Sequence, residues 1–151
     1  MMAHAPLSSE TIHASCVMID GGAVLLHGLS GAGKSDLALR LIDRGAALVS
    51  DDYTILRRVG DRLVASPPIN IAGKIEVRGL GVVEMPHVAE ADVRLLVVLE
   101  DQVPRMPDDQ PHSRLIAGIA IPVVTLPPLH ASSPIKVELA LRRFGLAEIR
   151  P

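Results

Sequence analysis

The stretch Gly28-Leu29-Ser30-Gly31-Ala32-Gly33-Lys34-Ser35 fits G-x-x-x-x-G-K-[ST] at every fixed position. Glycines at these places let backbone N–H groups converge on an anion with no Cβ in the way. A helix starting here adds its unpaired first-turn N–H groups and the positive end of its dipole. In such a loop Lys34 bridges the outer phosphates of a bound polyphosphate, and Ser35 ligates Mg²⁺. The flanks decide whether the pattern is more than a glycine-rich turn. Ahead of it, Ala23-Val24-Leu25-Leu26-His27 is short, apolar and bounded by turn residues, which predicts a buried strand. Behind it, Leu37, Ala38, Leu41 and Ile42 share one face of a helix over 34–44, with Gly45 placed as its C′ residue. Strand, glycine loop and amphipathic helix in that order predict an α/β domain organised around a nucleotide-binding loop.

The rest of the composition narrows the class. A chain of 151 residues is long enough for one domain with a substantial core, and a single domain over 1–151 is expected, with 1–10 a flexible terminus. Tyr53 and Phe144 are its only aromatic residues, so the core is aliphatic. Scarce aromatics and a net charge of −2 argue against nucleic acid as a partner, which is held by stacking platforms and basic surfaces. A lone cysteine, Cys16, forms no internal disulfide and reads as a small buried hydrophobe. The N-terminus lacks the pattern of a signal peptide, and no apolar run is long enough to span a bilayer. No membrane association and a cytoplasmic location are therefore expected.

Along the chain, residues 11–19 are rich in β-branched and apolar types and precede the turn Asp20-Gly21-Gly22, so they predict a hairpin with 23–27. Residues 46–50 form the next apolar run. Strand, helix and strand at this spacing predict a parallel βαβ unit whose two strands end on the same sheet edge, where ligands bind. Residues 53–59 and 62–65 predict a second hairpin, 69–74 a loop, 75–77 a brief strand and 92–99 a strongly apolar strand. The acidic, proline-punctuated 100–118 reads as loop. Residues 119–126 read as a strand at an edge or with a bulge because of Pro122, and Ser133-Pro134 opens a helix ending at Gly145.

Directly after the strand 46–50 stand Asp51 and Asp52, on the same edge as Lys34 and Ser35. Successive strand residues point to opposite sides, so one acid faces the metal or its water shell and the other the acceptor. Glu76 and Arg78 flank Val77 at period-two spacing beside Gly79 and Gly81, and in an extended segment project from one face. His4, His27, His87, His112 and His130 show no metal-ligand spacing and receive no role.

Taken together, the phosphate loop, Asp51-Asp52, the segment Ile75-Glu76-Val77-Arg78-Gly79-Leu80-Gly81 and His13 resemble HPr kinase/phosphorylase over residues 11–143. That resemblance implies a P-loop-containing, phosphoenolpyruvate-carboxykinase-like mixed sheet with flanking helices. It implies ATP-dependent phosphorylation of a serine on HPr, the phosphocarrier of the sugar phosphotransferase system. It also implies a reverse reaction in which inorganic phosphate attacks the phosphoserine and releases pyrophosphate. The roles it implies are nucleotide binding by Gly28, Leu29, Ser30, Gly31, Ala32, Gly33, Lys34, Ser35, Asp51 and Arg78, and Mg²⁺ ligation by Ser35 and Glu76. It implies catalytic work by His13, Lys34, Asp52 (the base toward the serine hydroxyl) and Arg114 (linked with dephosphorylation). Homo-oligomeric assembly is a further implication. The chain departs from the family pattern in three places. It reads as a short form without an N-terminal domain, it stops soon after Phe144, and Pro127-Pro128-Leu129-His130-Ala131-Ser132-Ser133 replaces an arginine- and glycine-rich loop.

Two other functions are compatible with the loop. One is a nucleotide-sensing regulatory module without catalysis. The other is a kinase of a small metabolite, which requires a lid with arginines, whereas 100–111 offers only Arg105.

Overall fold

The aliphatic run before the phosphate loop becomes a strand at the middle of a nine-stranded sheet, with helices packed on one of its faces. The computed structural model describes residues 8–29 and 31–147. Ser30 and the outermost residues of the expected flexible terminus, 1–7, lie outside the described residues. In chain order the strands are β1 (Ser9–Ile12), β2 (Ala14–Ile19), β3 (Gly22–His27), β4 (Ala47–Ser50), β5 (Thr54–Val59), β6 (Arg62–Ser66), β7 (Lys74–Val77), β8 (Gly81–Glu84), β9 (Ala91–Leu99), β10 (His112–Ile116) and β11 (Ile119–Leu126). Helix α1 spans Lys34–Asp43 and α2 spans Ser133–Phe144.

The main sheet runs β1-β5-β6-β9-β3-β2-β4, with β11 also paired to β9 and β10 to β11. β3, β9 and β11 are parallel neighbours, so their carboxyl ends share one edge. β4 and β3 each lie antiparallel to β2, which stands between them. They are therefore parallel to each other, and both end on the edge that carries the phosphate loop, as the sequence requires.

Local chemistry explains the elements. Ile19 and Gly22 face each other across Asp20-Gly21, whose φ values of 49° and 81° are those of a type I′ turn, the connection whose twist matches paired strands. Ala117-Gly118, at 48° and 84°, makes the same turn between β10 and β11. Helix α1 ends in a Schellman motif: Gly45 N–H bonds to the Ile42 carbonyl at 3.0 Å and Ala46 N–H to that of Leu41 at 3.1 Å. Strand β9 carries a bulge. Ala23 pairs with Val93 but Val24 pairs with Leu95, so Arg94 is the extra residue. Val93 therefore faces one core and Leu95 and Val97 the other. On the helical side Val24, Leu26, Leu95 and Val97 pack against Leu37, Leu41 and Val137. On the other side Cys16, Leu25 and Leu96 pack against Leu56, Leu63 and Ile121 of the curled β5–β6 and β10–β11 hairpins. Cys16 is fully buried, and that burial raises its thiol pKa.

Three expectations need correction. Residues 11–19 are not one strand: the chain breaks at His13, pairing β1 with β5 and β2 with β3. Ser9 and Glu10, assigned to the flexible terminus, lie in β1, and the Glu10 carboxylate accepts the Ala117 N–H at 3.0 Å. Residues 112–116, assigned to a loop, form β10, whose partner is the proline-bearing β11. Pro122 sits opposite Ser113 in the part of β11 that lies beyond its parallel pairing with β9, so the missing N–H costs the sheet little there. In 69–74, a 3-10 turn at Ile69–Ile71 precedes Lys74, the first residue of β7.

Gly45 has a φ of 109°, and a Cβ there meets no atom within 4 Å. Gly45→Ala therefore isolates the backbone penalty of the αL cap. It is expected to lower unfolding stability by about 1–2 kcal/mol in urea titration with no change in m.

Candidate active site

Helix α1 begins directly from the glycine loop. Its N-cap, Gly33, has a φ of 101° and supplies no side-chain cap, so the first-turn N–H groups keep their polarity for an incoming anion. Gly31, at 80°, is the second loop residue in the left-handed region. Lys34 is buried, and its Nζ donates to the carbonyls of Gly28 at 3.1 Å and Leu29 at 3.2 Å. Its partners among the described residues are thus neutral dipoles. A buried ammonium held this way favours a bound anion, which would supply the missing counter-charge.

Asp51 is also buried. Its Oδ1 accepts from Ser35 Oγ at 2.6 Å and from Ser15 Oγ at 3.1 Å, and its Oδ2 accepts from the Glu76 N–H at 3.0 Å. One carboxylate therefore connects β2, α1 and β7. The Glu76 side chain stands exposed beside it. Asp52 turns the opposite way. Its φ of 67° and the 2.7 Å bond from Tyr53 N–H to the Asp51 carbonyl form a tight three-residue turn, a strained geometry at which Asp is among the tolerated residues. The turn sends the Asp52 carboxylate into solvent, half exposed, where Oδ1 accepts from His13 Nε2 at 2.6 Å. The His13 ring stacks on Tyr53 with centroids 4.9 Å apart. The chain break at His13 is what frees this ring from the strand to face Asp52.

Two residues passed over in the sequence belong here. Ser15 links the two acids: its hydroxyl donates to Asp51 and accepts the Asp52 N–H at 3.0 Å. A serine among Ala14, Cys16 and Val17 in an otherwise apolar strand was the available signal. His27, at the end of β3, has a buried Nδ1 with no hydrogen-bond partner among the described residues. Desolvation holds its pKa below the ordinary value, assisted by the positive charges of Arg114, Lys34 and His13. Arg114 lies on β10 opposite Ile121 of β11, and no hydrogen bond or ion pair among the described residues joins it to the cradle. Arg78 is exposed in the turn between β7 and β8, and no hydrogen bond or ion pair among the described residues joins it to the cradle.

The arrangement defines a phosphate-loop protein of mixed α/β architecture, with one acid built into the anion cradle and a second presented outward beside it. The family model for the HPr serine kinase C-terminal domain matches residues 5–137. HPr kinase/phosphorylase of Clostridium acetobutylicum is 34% identical over 134 residues, covering 80% of this chain and 44% of that protein. The Chlorobium limicola protein of the same name is 39% identical over 132 residues, covering 78% and 40%. The solved Hpr(Ser) kinase/phosphatase from Coxiella burnetii superposes with a TM-score of 0.77 at 32% identity, covering 88% of this chain and 94% of that one. The chain belongs to the HPr serine kinase C-terminal domain family, and it spans less than half the length of the curated relatives it matches.

Two measurements follow from the buried polar groups. Ser15→Ala leaves Asp51 one donor short and the Asp52 N–H without its acceptor, and is expected to cost about 1–3 kcal/mol in urea unfolding. For His27, the folded ring binds a proton less readily than the unfolded one. Its contribution to stability is therefore complete above the unfolded value of 6.5 and is lost as the pH falls below it. His27→Asn, neutral at every pH, is expected to lose less stability than the parent on acidification below pH 6.5, as read by urea titration at a series of pH values.

Proposed function

We propose that the chain is an ATP-dependent kinase acting on a serine of HPr, and that the same site runs the reverse phosphorolysis with inorganic phosphate. The observation that carries this reading is the division of labour between Asp51, bonded into the phosphate loop through Ser35, and Asp52, held outward by its turn and by His13. Residues 28–35 would hold the triphosphate, with Lys34 neutralising its outer phosphates. Mg²⁺ takes hard oxygen ligands and is bound through one or two carboxylates together with substrate phosphates. Ser35 Oγ and Asp51, already 2.6 Å apart, fit that donor set, with Glu76 beside them. Bound there, the ion supplies charge stabilisation of the transferring phosphoryl group.

Phosphoryl transfer through a loose transition state depends chiefly on alignment and charge stabilisation. The serine oxygen of HPr bonds to the γ-phosphorus as the bond to the β-phosphate oxygen of ATP breaks, giving ADP and phosphoserine. The hydroxyl proton passes to the Asp52 carboxylate, late in the transfer. His13 orients that carboxylate by donating from Nε2, and Tyr53 holds the ring in plane by stacking. In reverse, a phosphate oxygen attacks the phosphoserine phosphorus, pyrophosphate forms, and the serine oxygen recovers the proton from Asp52. Arg114, exposed on β10, would supply the cation for the additional phosphate of this reverse reaction.

Incubation with ATP, Mg²⁺ and HPr is expected to add one phosphate to an HPr serine, read as a mass shift. Asp52→Asn keeps the size and the tolerance of positive φ, so it removes only the proton acceptor. It is expected to slow transfer by about 10²–10⁴-fold while ATP affinity changes little. Absence of transfer by the parent protein with ATP bound would overturn the kinase reading.

A further inference from the structure

A nucleotide held by residues 28–35 must set its base down outside the loop. β3, β9 and β11 are parallel neighbours, and ligands of such sheets lie across the carboxyl ends of the strands. At the carboxyl end of β11 the chain runs Pro127-Pro128-Leu129-His130 before entering α2. This segment abuts the phosphate loop: a Cβ built on Gly33 would lie 3.2 Å from Leu129 Cδ2 and 3.5 Å from Pro128 Cβ. It is also fixed in place. Arg40 of α1 donates to the His130 carbonyl at 2.9 Å and to the Pro128 carbonyl, while Ser133 Oγ donates to the Pro127 carbonyl and accepts the His130 N–H. Despite this anchoring, Leu129 remains 66% exposed.

A rigid carbon surface left open to solvent against an anion cradle is suited to a ligand that continues from the anion into a flat apolar group. We propose that Pro128 and Leu129 are the platform on which the base of the bound nucleotide packs, a role that rests on nucleotide binding by the loop. The carbonyls of Pro127, Pro128 and His130 are engaged within the protein, and the side chains of Pro128 and Leu129 carry no donor or acceptor. These two side chains therefore grip a base by apolar contact and shape, without reading its amino or keto groups. Adenine and guanine nucleotides are expected to bind alike.

Calorimetric titration of the intact protein with ATP, GTP and inorganic tripolyphosphate, each with Mg²⁺, tests this. Leu129→Ser changes an exposed side chain and is expected to weaken ATP and GTP about tenfold each. Tripolyphosphate, which has no base, is expected to keep its affinity, and Leu129→Met to keep that of all three. Equal weakening of tripolyphosphate would make the segment a mere prop for the loop and overturn the platform. So would undiminished ATP affinity in Leu129→Ser, or a preference for ATP over GTP of about tenfold or more in the parent. If the parent bound tripolyphosphate but Leu129→Ser bound ATP normally, only the platform would fall. If the parent bound none of the three, nucleotide binding itself would fall with it.

Discussion

The Asp51 carboxylate holds the site together. Taking a carboxylate out of water costs several kcal/mol, and the cost is recovered only when hydrogen bonds to the charged form replace the lost hydration. Here three donors do so, from Ser15, Ser35 and the Glu76 backbone, each of a type worth about 1.5–3 kcal/mol. Those donors come from three elements far apart in sequence. The acid thus fixes where the phosphate loop's serine stands relative to the central strands, and it draws the β7–β8 hairpin toward the cradle. Lys34, held by carbonyl dipoles among the described residues, completes a pocket whose polar groups are arranged before any ligand arrives.

Around that acid the sheet is shaped by two local irregularities. At His13 the chain leaves one strand pairing and begins another, so that β1 closes onto β5 while β2 stays beside β3. At Arg94 the extra residue in β9 exchanges the faces of its side chains, letting one strand serve the helical core with Leu95 and Val97 and the hairpin core with Val93. Both irregularities serve the site. The first exposes an imidazole to Asp52, and the second lets β9, the parallel neighbour of the strand that leads into the phosphate loop, serve both cores.

Legibility in the sequence follows from how local the causes are. The phosphate loop, the Gly45 cap, the Asp20-Gly21 turn and the helix opening at Ser133-Pro134 are each determined by a few adjacent residues, and each stands where the pattern places it. The two acids were legible as a pair because a strand ending before them sets their edge. Strand β10 was not legible, since Arg114 and Leu115 are exposed and the segment owes its form to pairing with β11 rather than to an apolar pattern. The break at His13 was hidden because both halves are β-rich, and only the distant strand β5 distinguishes them. Strand β8 escaped for the same reason: its residues are largely exposed, and its order comes from β7. Ser15 was missed because one hydroxyl in an apolar run acquires meaning only when Asp51 and Asp52 are brought to it across the sheet.

The fully buried Cys16 lies on β2, between the phosphate-loop strand and the strand that leads into Asp51. A thiol reacts as its thiolate, and burial suppresses both access and ionisation at this position. The sole sulfhydryl therefore becomes modifiable only when the central sheet opens. Its rate of alkylation is a built-in clock for that opening.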